Sequence, residues 1–327
     1  MGFPSHASFT LTNVCNLHCF MCGQWSEHGY MKDRPDFKKQ EIGLADWKRV
    51  IDELAAGGVT SACVRGGEPF LFPGIIELLA HMVSWGIRPS IDTNATRIAP
   101  FAEDLVKIGG IHFTVSVDGP EPFHDKVRGV PGTFQRMKEG IQAVEAAEKK
   151  LGGIVSRSLN FVITPLSLPG LGDMPDIARD LGLKSLCIMP YYYFNTAVGR
   201  RYEEEMRALG CGAASWKGFE HETSGVDFTE FKKQWKRYKD NLKGLHDYPF
   251  MPLSEDQYRR WFADPLIPVT APACNNIERL IDIQPNGDVN FCVDFVDYFF
   301  GNVKKSGITE VWNSEAAEKF RAARRKG

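Results

Sequence analysis

The chain has 327 residues, 43% hydrophobic and 24% charged, enough apolar material to bury a substantial core in one large domain, or in one large and one small. Its formal net charge is -2 with both signs mixed along the sequence, so nothing in its electrostatics calls for nucleic acid or an anionic membrane as partner. Residues 1–12 lack the basic flank and apolar run of a secretory signal, and no stretch approaches the roughly 20 apolar residues that span a bilayer, so a cytoplasmic location is expected. The eight cysteines then read as reduced thiols, candidates for metal or cluster ligation rather than disulfides.

Up to about residue 190 short β-rich runs alternate with amphipathic segments, the pattern of parallel strands joined by crossover helices. Strands are predicted at 7–12, 59–65, 88–93, 111–118, 157–164 and 184–189, and helices at 43–56, 73–85, 100–108, 133–149 and 171–181. Six such units are too few for a closed eight-stranded barrel and suit an open, partial one. In parallel βα architectures the loops after the carboxyl ends of the strands gather on one face, and residues there can meet around a ligand.

The loop after the first strand reads Cys15-Asn16-Leu17-His18-Cys19-Phe20-Met21-Cys22, a CxxxCxxC spacing. Three soft thiolates this close can hold three irons of a [4Fe-4S] cube and leave the fourth open to a chelating substrate. A structural zinc site that adds His18 is one alternative, and three unrelated reduced cysteines another.

The second predicted strand ends in Arg65-Gly66-Gly67-Glu68-Pro69, the third in Thr93-Asn94-Ala95 and the fourth in Ser116-Val117-Asp118-Gly119-Pro120, with His124-Asp125-Lys126-Val127-Arg128-Gly129 following. Taken with the cysteine spacing, these segments resemble the radical S-adenosylmethionine (SAM) superfamily over roughly residues 7–190. The resemblance implies an α/β partial (β/α)6 barrel. It also implies a [4Fe-4S] cluster at Cys15, Cys19 and Cys22, with SAM on the open iron and reductive cleavage to a 5'-deoxyadenosyl radical. Met21 departs from the aromatic residue usual before the third cysteine, which puts its packing on the adenine in doubt.

On that resemblance Gly66, Gly67, Glu68 and Pro69 form the turn at the SAM amino group, where glycines allow close backbone approach and a carboxylate suits an ammonium. Thr93, Asn94, Ser116 and Asp118 offer small polar groups to the ribose or methionyl end, with turn capping as the alternative. Arg128 is a candidate partner for the SAM carboxylate, with a surface salt bridge as its alternative.

From 191 to 262 the alternation stops, and Phe228, Phe231, Trp235, Tyr238 and Leu242 recur at helical spacing, which reads as core of a helical connector. From near Pro272 a hairpin is predicted, 281–284 and 289–293 around Pro285-Asn286-Gly287-Asp288. Cys274, Gly287 and Cys292 fit a cysteine, twelve residues, glycine, four residues, cysteine pattern similar to the opening of SPASM and Twitch extensions, where it implies two ligands of an auxiliary [4Fe-4S] cluster. No cysteine follows Cys292, so that site is incomplete here, finds another ligand, or belongs to an extension cut short at Gly327. Cys63 and Cys187, inside predicted strands, read as small core residues, and 321–326 as a solvated basic helix terminus.

The expected division is 1–195 for the radical SAM partial barrel, 196–270 for the helical connector and 271–327 for a SPASM/Twitch-like extension. The function implied is hydrogen abstraction from an organic substrate, with a low-potential donor such as flavodoxin or ferredoxin and no nucleic acid or membrane partner. A small metabolite is favoured because Cys15 leaves no room ahead of it for a peptide-recognition domain. Modification of a peptide or protein side chain is the alternative, and a non-catalytic iron-sulfur or zinc protein the remote one.

Overall fold

The burial pattern of the strands sets the architecture. In β2 (Ser61–Arg65) and β4 (His112–Ser116) every second side chain, Ala62, Val64, Phe113 and Val115, is buried under helices, while Cys63, Arg65, Thr114 and Ser116 face the other way. The computed structural model describes residues 2–34, 36–265 and 274–325. The parallel strands β1 (His6–Thr10), β2, β3 (Arg88–Thr93), β4, β5 (Ser156–Ile163) and β6 (Ser185–Pro190) lie side by side in chain order.

Between them run α1 (Leu44–Ala56), α2 (Ile75–Ser84), α3 (Ala102–Ile108), α4 (Glu121–Arg128), α5 (Thr133–Leu151) and α6 (Met174–Asp180). Trp47, Val50, Ile51 and Leu54 of α1, and Ile75, Leu78, Leu79 and Met82 of α2, fall at i, i+3, i+4 and i+7 and are all buried, so each helix lays one stripe on the sheet. This is the open partial barrel expected from the sequence. Several strands end sooner than predicted, at Thr10, Ser116 and Ile163, and the residues beyond them form the loops of the carboxyl face. Helix α4 was not anticipated, because two of its three buried residues, His124 and Arg128, are polar and hide the apolar spacing.

Beyond β6 come α7 (Thr196–Ala208), α8 (Phe228–Asp240), the short strand β7 (His246–Asp247) and α9 (Glu255–Ala263). Asp227 caps α8 by accepting from Thr229 N at 2.7 Å and Glu230 N at 3.2 Å, and Ser254 and Gln257 form a capping box on α9. The aromatic stripe of α8 is core: Phe231 and Tyr238 are fully buried, with Phe231 and Trp235 packed on Tyr258 of α9. The expected boundary at 270/271 and the start near Pro272 lie outside the described residues.

The hairpin forms from β8 (Leu280–Ile283) and β9 (Asp288–Asn290), with Gly287 at φ +87° in the turn. It does not stand apart. β8 runs parallel to β1, with His6 opposite Leu280 and Phe9 opposite Ile283, so the hairpin and β10 (Gly301–Asn302) extend one ten-stranded sheet.

Two helices, α10 (Ile308–Trp312) and α11 (Glu315–Arg325), close the C-terminal part. The solvated reading of the basic terminus fails at its first residue, while Lys326 lies outside the described residues. Arg321 is only 3% exposed, because its Nε donates to Ile277 O and its Nη1 to Trp312 O, both at 2.9 Å, and its guanidinium lies over the Trp312 and Phe291 rings. Arg321→Ala would strand two buried carbonyls and is expected to cost about 2 kcal/mol or more, read as a lower denaturation midpoint.

Candidate functional site

The cysteine loop is fixed to the fold on two sides. On one, Gly67 N donates to Thr12 O at 2.7 Å and Glu68 N to Val14 O at 2.8 Å. On the other, His18 N donates to Arg128 O at 3.1 Å and Phe20 N to Val127 O at 2.8 Å, tying the loop to the end of α4. Thr12 Oγ1 and Asn13 N also share Glu41 Oε1, at 2.8 and 2.9 Å.

These seams explain three glycines. A Cβ on Gly66 would stand 2.6 Å from Thr12 O, one on Gly67 2.2 Å from Val14 O, and one on Gly129, at φ +71°, 2.6 Å from His18 O. The close approach that Gly66 and Gly67 permit is therefore to the cysteine loop itself.

Cys15, Cys19 and Cys22 are free thiols on the wall of a cavity of about 500 Å³. Burial pushes Cys15 up to about 12 and Cys22 up to about 11, so these thiols hold their protons until a metal displaces them. Burial raises Cys19 too, but the Arg128 guanidinium opposes the rise. Among the described residues no three His, Cys, Asp or Glu side chains converge closely enough to share one ion. Three thiols spread round one opening suit a polynuclear cluster, in which each takes a separate iron, better than they suit zinc.

Beside them the Gly66-Gly67-Glu68 turn, Thr93, Asn94 and Ser116 line the same cavity. Glu68 is 1% exposed, and its Oε1 accepts from Thr93 Oγ1 at 2.7 Å and Phe70 N at 3.2 Å, while Oε2 accepts from Asn94 N at 2.9 Å. Burial pushes this carboxyl up to about 7 against those three hydrogen bonds, a penalty that a cation in the cavity would relieve. Thr93 and Asn94 thus hold Glu68 in place, and Asn94 Nδ2 also reaches Asn16 Oδ1 in the cysteine loop at 3.1 Å. Pro69 is buried at the start of a single turn, Pro69–Leu71, and does not itself line the cavity.

Asp118 and Arg128 form a buried pair, Nη2 to Oδ2 at 2.7 Å, and Asp118 Oδ1 accepts from Val162 N at 3.2 Å. Burial raises the Asp118 carboxyl while Arg128 opposes it. Arg128 Nη1 also donates to Cys19 Sγ at 3.6 Å. Arg128 is thus neither a surface salt bridge nor free in the cavity: its guanidinium spans Asp118 and a cysteine sulfur.

Most of the remaining wall was given no role in the sequence, Met21 and Cys187 apart. It includes Arg65, Asp92, Thr114, Asn160, Tyr192, Tyr248 and Asp294, with Met21 and Cys187. Cys187 is therefore a wall residue as well as a buried one. The signal lay in strand alternation, since Arg65 and Asp92 share the face opposite the buried Val64 and Ile91. Cys292 N donates to Asn290 Oδ1 at 2.9 Å, and Cys274 is exposed just before a short helical turn at Asn275–Glu278. Burial raises the Tyr192 phenol, and Asp294, then Cys292 and Cys274, add to the rise.

Comparison with known proteins agrees with this geometry. The model of the Radical SAM superfamily matches residues 9–157, and that of the SPASM iron-sulfur cluster-binding domain matches residues 274–327. An AdoMet-dependent heme synthase of Nitratidesulfovibrio vulgaris is 30% identical over 326 residues, which cover 96% of this chain and 80% of that one. The chain belongs to the radical SAM superfamily. The cofactors that go with these two matches are a [4Fe-4S] cluster and SAM. A second AdoMet-dependent heme synthase, from Methanosarcina barkeri, is 26% identical over 204 residues, 62% of this chain but only 54% of that relative, so this chain spans about half of its length. Streptococcus suis SuiB bound to precursor peptide SuiA shares the fold with a TM-score of 0.68 and 16% identity, over 98% of this chain and 67% of that one. Among the described residues no helix is long and apolar enough to cross a membrane.

Two outcomes follow for this radical SAM site. Gly67→Ala drives a methyl into Val14 O, so iron bound per chain after anaerobic reconstitution should fall well below that of the parent. Arg128→Met leaves Asp118 buried without its partner and should cost about 3–5 kcal/mol in chemical denaturation of the metal-free protein, part of which Asp118→Asn in the same chain should restore.

Proposed function

We propose that this enzyme cleaves SAM reductively at a cluster held by Cys15, Cys19 and Cys22, and removes a hydrogen atom from a small organic substrate seated in the same cavity. One observation carries the reading: three free thiols open onto a cavity of about 500 Å³ whose wall beside them is the Gly66-Gly67-Glu68 turn. When bound, the cluster and SAM supply a 5'-deoxyadenosyl radical after one-electron reduction.

The chain's own residues bind, orient and exclude water. Glu68, held by Thr93 and the Asn94 amide, accepts the ammonium of SAM in a charge-assisted hydrogen bond. The Ser116 hydroxyl and the Asn94 side chain offer further polar contacts to SAM, and Pro69 fixes the turn that presents Glu68. The Asp118–Arg128 pair keeps the cysteine loop in register and puts a positive charge beside Cys19. Tyr191, Tyr192, Tyr248 and Phe250 give the substrate end aromatic walls that keep water from the reacting carbon.

A small molecule is favoured because one cavity must admit both SAM and substrate, and because two relatives that each cover 96% of this chain are named for heme, a small molecule. A low-potential donor of the flavodoxin or ferredoxin kind supplies the electron. Cys274 and Cys292 are ligands of an auxiliary cluster at the far end, and their joint replacement by Ala should lower iron per chain.

Anaerobically reconstituted protein given dithionite and SAM should form 5'-deoxyadenosine, and Cys19→Ala should form none, as read by chromatography. Equal nucleoside from parent and variant would sink the assignment.

A further inference from the structure

The cavity wall contains charges that the handling of SAM leaves unused. Arg65 ends β2, and in the register that sets Val64 opposite Ile91 the next pair is Arg65 and Asp92. Asp294, two residues beyond Cys292, enters the same wall from the C-terminal segment. The Asp294 and Asp92 carboxylates hold the Arg65 guanidinium in its charged form against the effect of burial, with smaller contributions from Cys63 and from Asp282, which does not line the cavity. Yet among the described residues neither carboxylate makes an ion pair or hydrogen bond with the guanidinium. Asp92 instead accepts from the Cys63 thiol at 3.5 Å. Asn160 Oδ1, on β5 in the same wall, is buried with no partner.

Arg65, Asp92 and Asp294 are only half-buried on the cavity wall, so their charges are open to a ligand, and the buried Asn160 carbonyl beside them lacks a partner that a ligand could supply. Two carboxylates and one guanidinium call for a ligand that carries both an ammonium and a carboxylate. A lone anion would face two like charges, and a lone cation would leave the guanidinium unmatched.

We propose that Arg65, Asp92 and Asp294 form the head-group site for a zwitterionic substrate, a free amino acid or amino-acid derivative. Its carboxylate pairs with the planar fork of Arg65, its ammonium is held by Asp92 and Asp294, and Asn160 Oδ1 accepts a further donor. Tyr248 and Phe250 pack the apolar remainder. This inference rests on the reading of the cavity as the substrate chamber and names the substrate class within it.

Isothermal titration calorimetry on the full, cluster-reconstituted chain with SAM present tests it, with the standard free L-amino acids as probes. For the tightest binder, its methyl ester and its N-acetyl derivative are titrated beside it. At least one free amino acid should bind, and each derivative should bind about tenfold or more weakly, since each loses one charge-assisted pair. Arg65→Met should weaken the free amino acid about tenfold or more and erase its advantage over the ester, and Arg65→Lys should keep part of it. Asp294→Asn should erase the advantage over the N-acetyl form. Iron content equal to the parent's certifies each variant as folded, and the comparison of free and derivatised ligands on the parent decides the matter if a variant does not fold.

Binding by no amino acid, equal binding of the derivatives, or unaltered binding to Arg65→Met would overturn the proposal. Formation of 5'-deoxyadenosine by the parent is scored separately. A chain that cleaves SAM but binds no amino acid refutes this inference alone, and one that binds an amino acid but never cleaves SAM refutes the proposed function.

Discussion

The site depends on how closely two backbones lie. The cysteine loop and the turn after β2 meet through Gly67 N to Thr12 O and Glu68 N to Val14 O, at distances that no side chain on Gly66 or Gly67 would permit. That seam fixes the thiols relative to Glu68, and Glu68 in turn is held by the end of β3 through Thr93 and Asn94. Three successive strand ends are thus linked by hydrogen bonds before any cofactor arrives. The geometry is preorganised by backbone groups, which lose little freedom on binding.

The sheet has two different faces for two different tasks. Toward the helices it presents Phe9, Val64, Ile91, Phe113, Leu159 and Ile188, all fully buried. Toward the cavity it presents Cys63, Arg65, Asp92, Thr114 and Asn160, a polar set where a closed eight-stranded barrel packs branched aliphatic side chains. Stability is drawn from one face, which leaves the other free for chemistry. The Asp118–Arg128 pair is the exception, a buried ion pair that joins α4 to the cysteine loop.

The βα order and the cysteine motif were legible because both depend on local spacing: Trp47, Val50, Ile51 and Leu54 announce a helix by themselves. What lay beyond the sequence depended on contacts between distant segments. Arg321 looks like solvent-exposed basic terminus until Trp312 and Ile277 are placed beside it. Helix α4 was missed since its inward face carries His124 and Arg128 instead of aliphatic residues. Arg65 and Asp294 are 229 positions apart in a chain of 327, and only the fold reveals that they face one cavity.

The pairing of β8 with β1 has a consequence for the order of assembly. β1 leaves the ribosome before the other strands of the sheet, and β2 follows soon enough to cover one of its edges. The other edge waits for residues 280–283, which emerge only after nearly all of the barrel has been made. Through most of synthesis a strand carrying the cysteine loop on its end therefore has an open row of amide and carbonyl groups, the kind of edge that invites pairing with another chain.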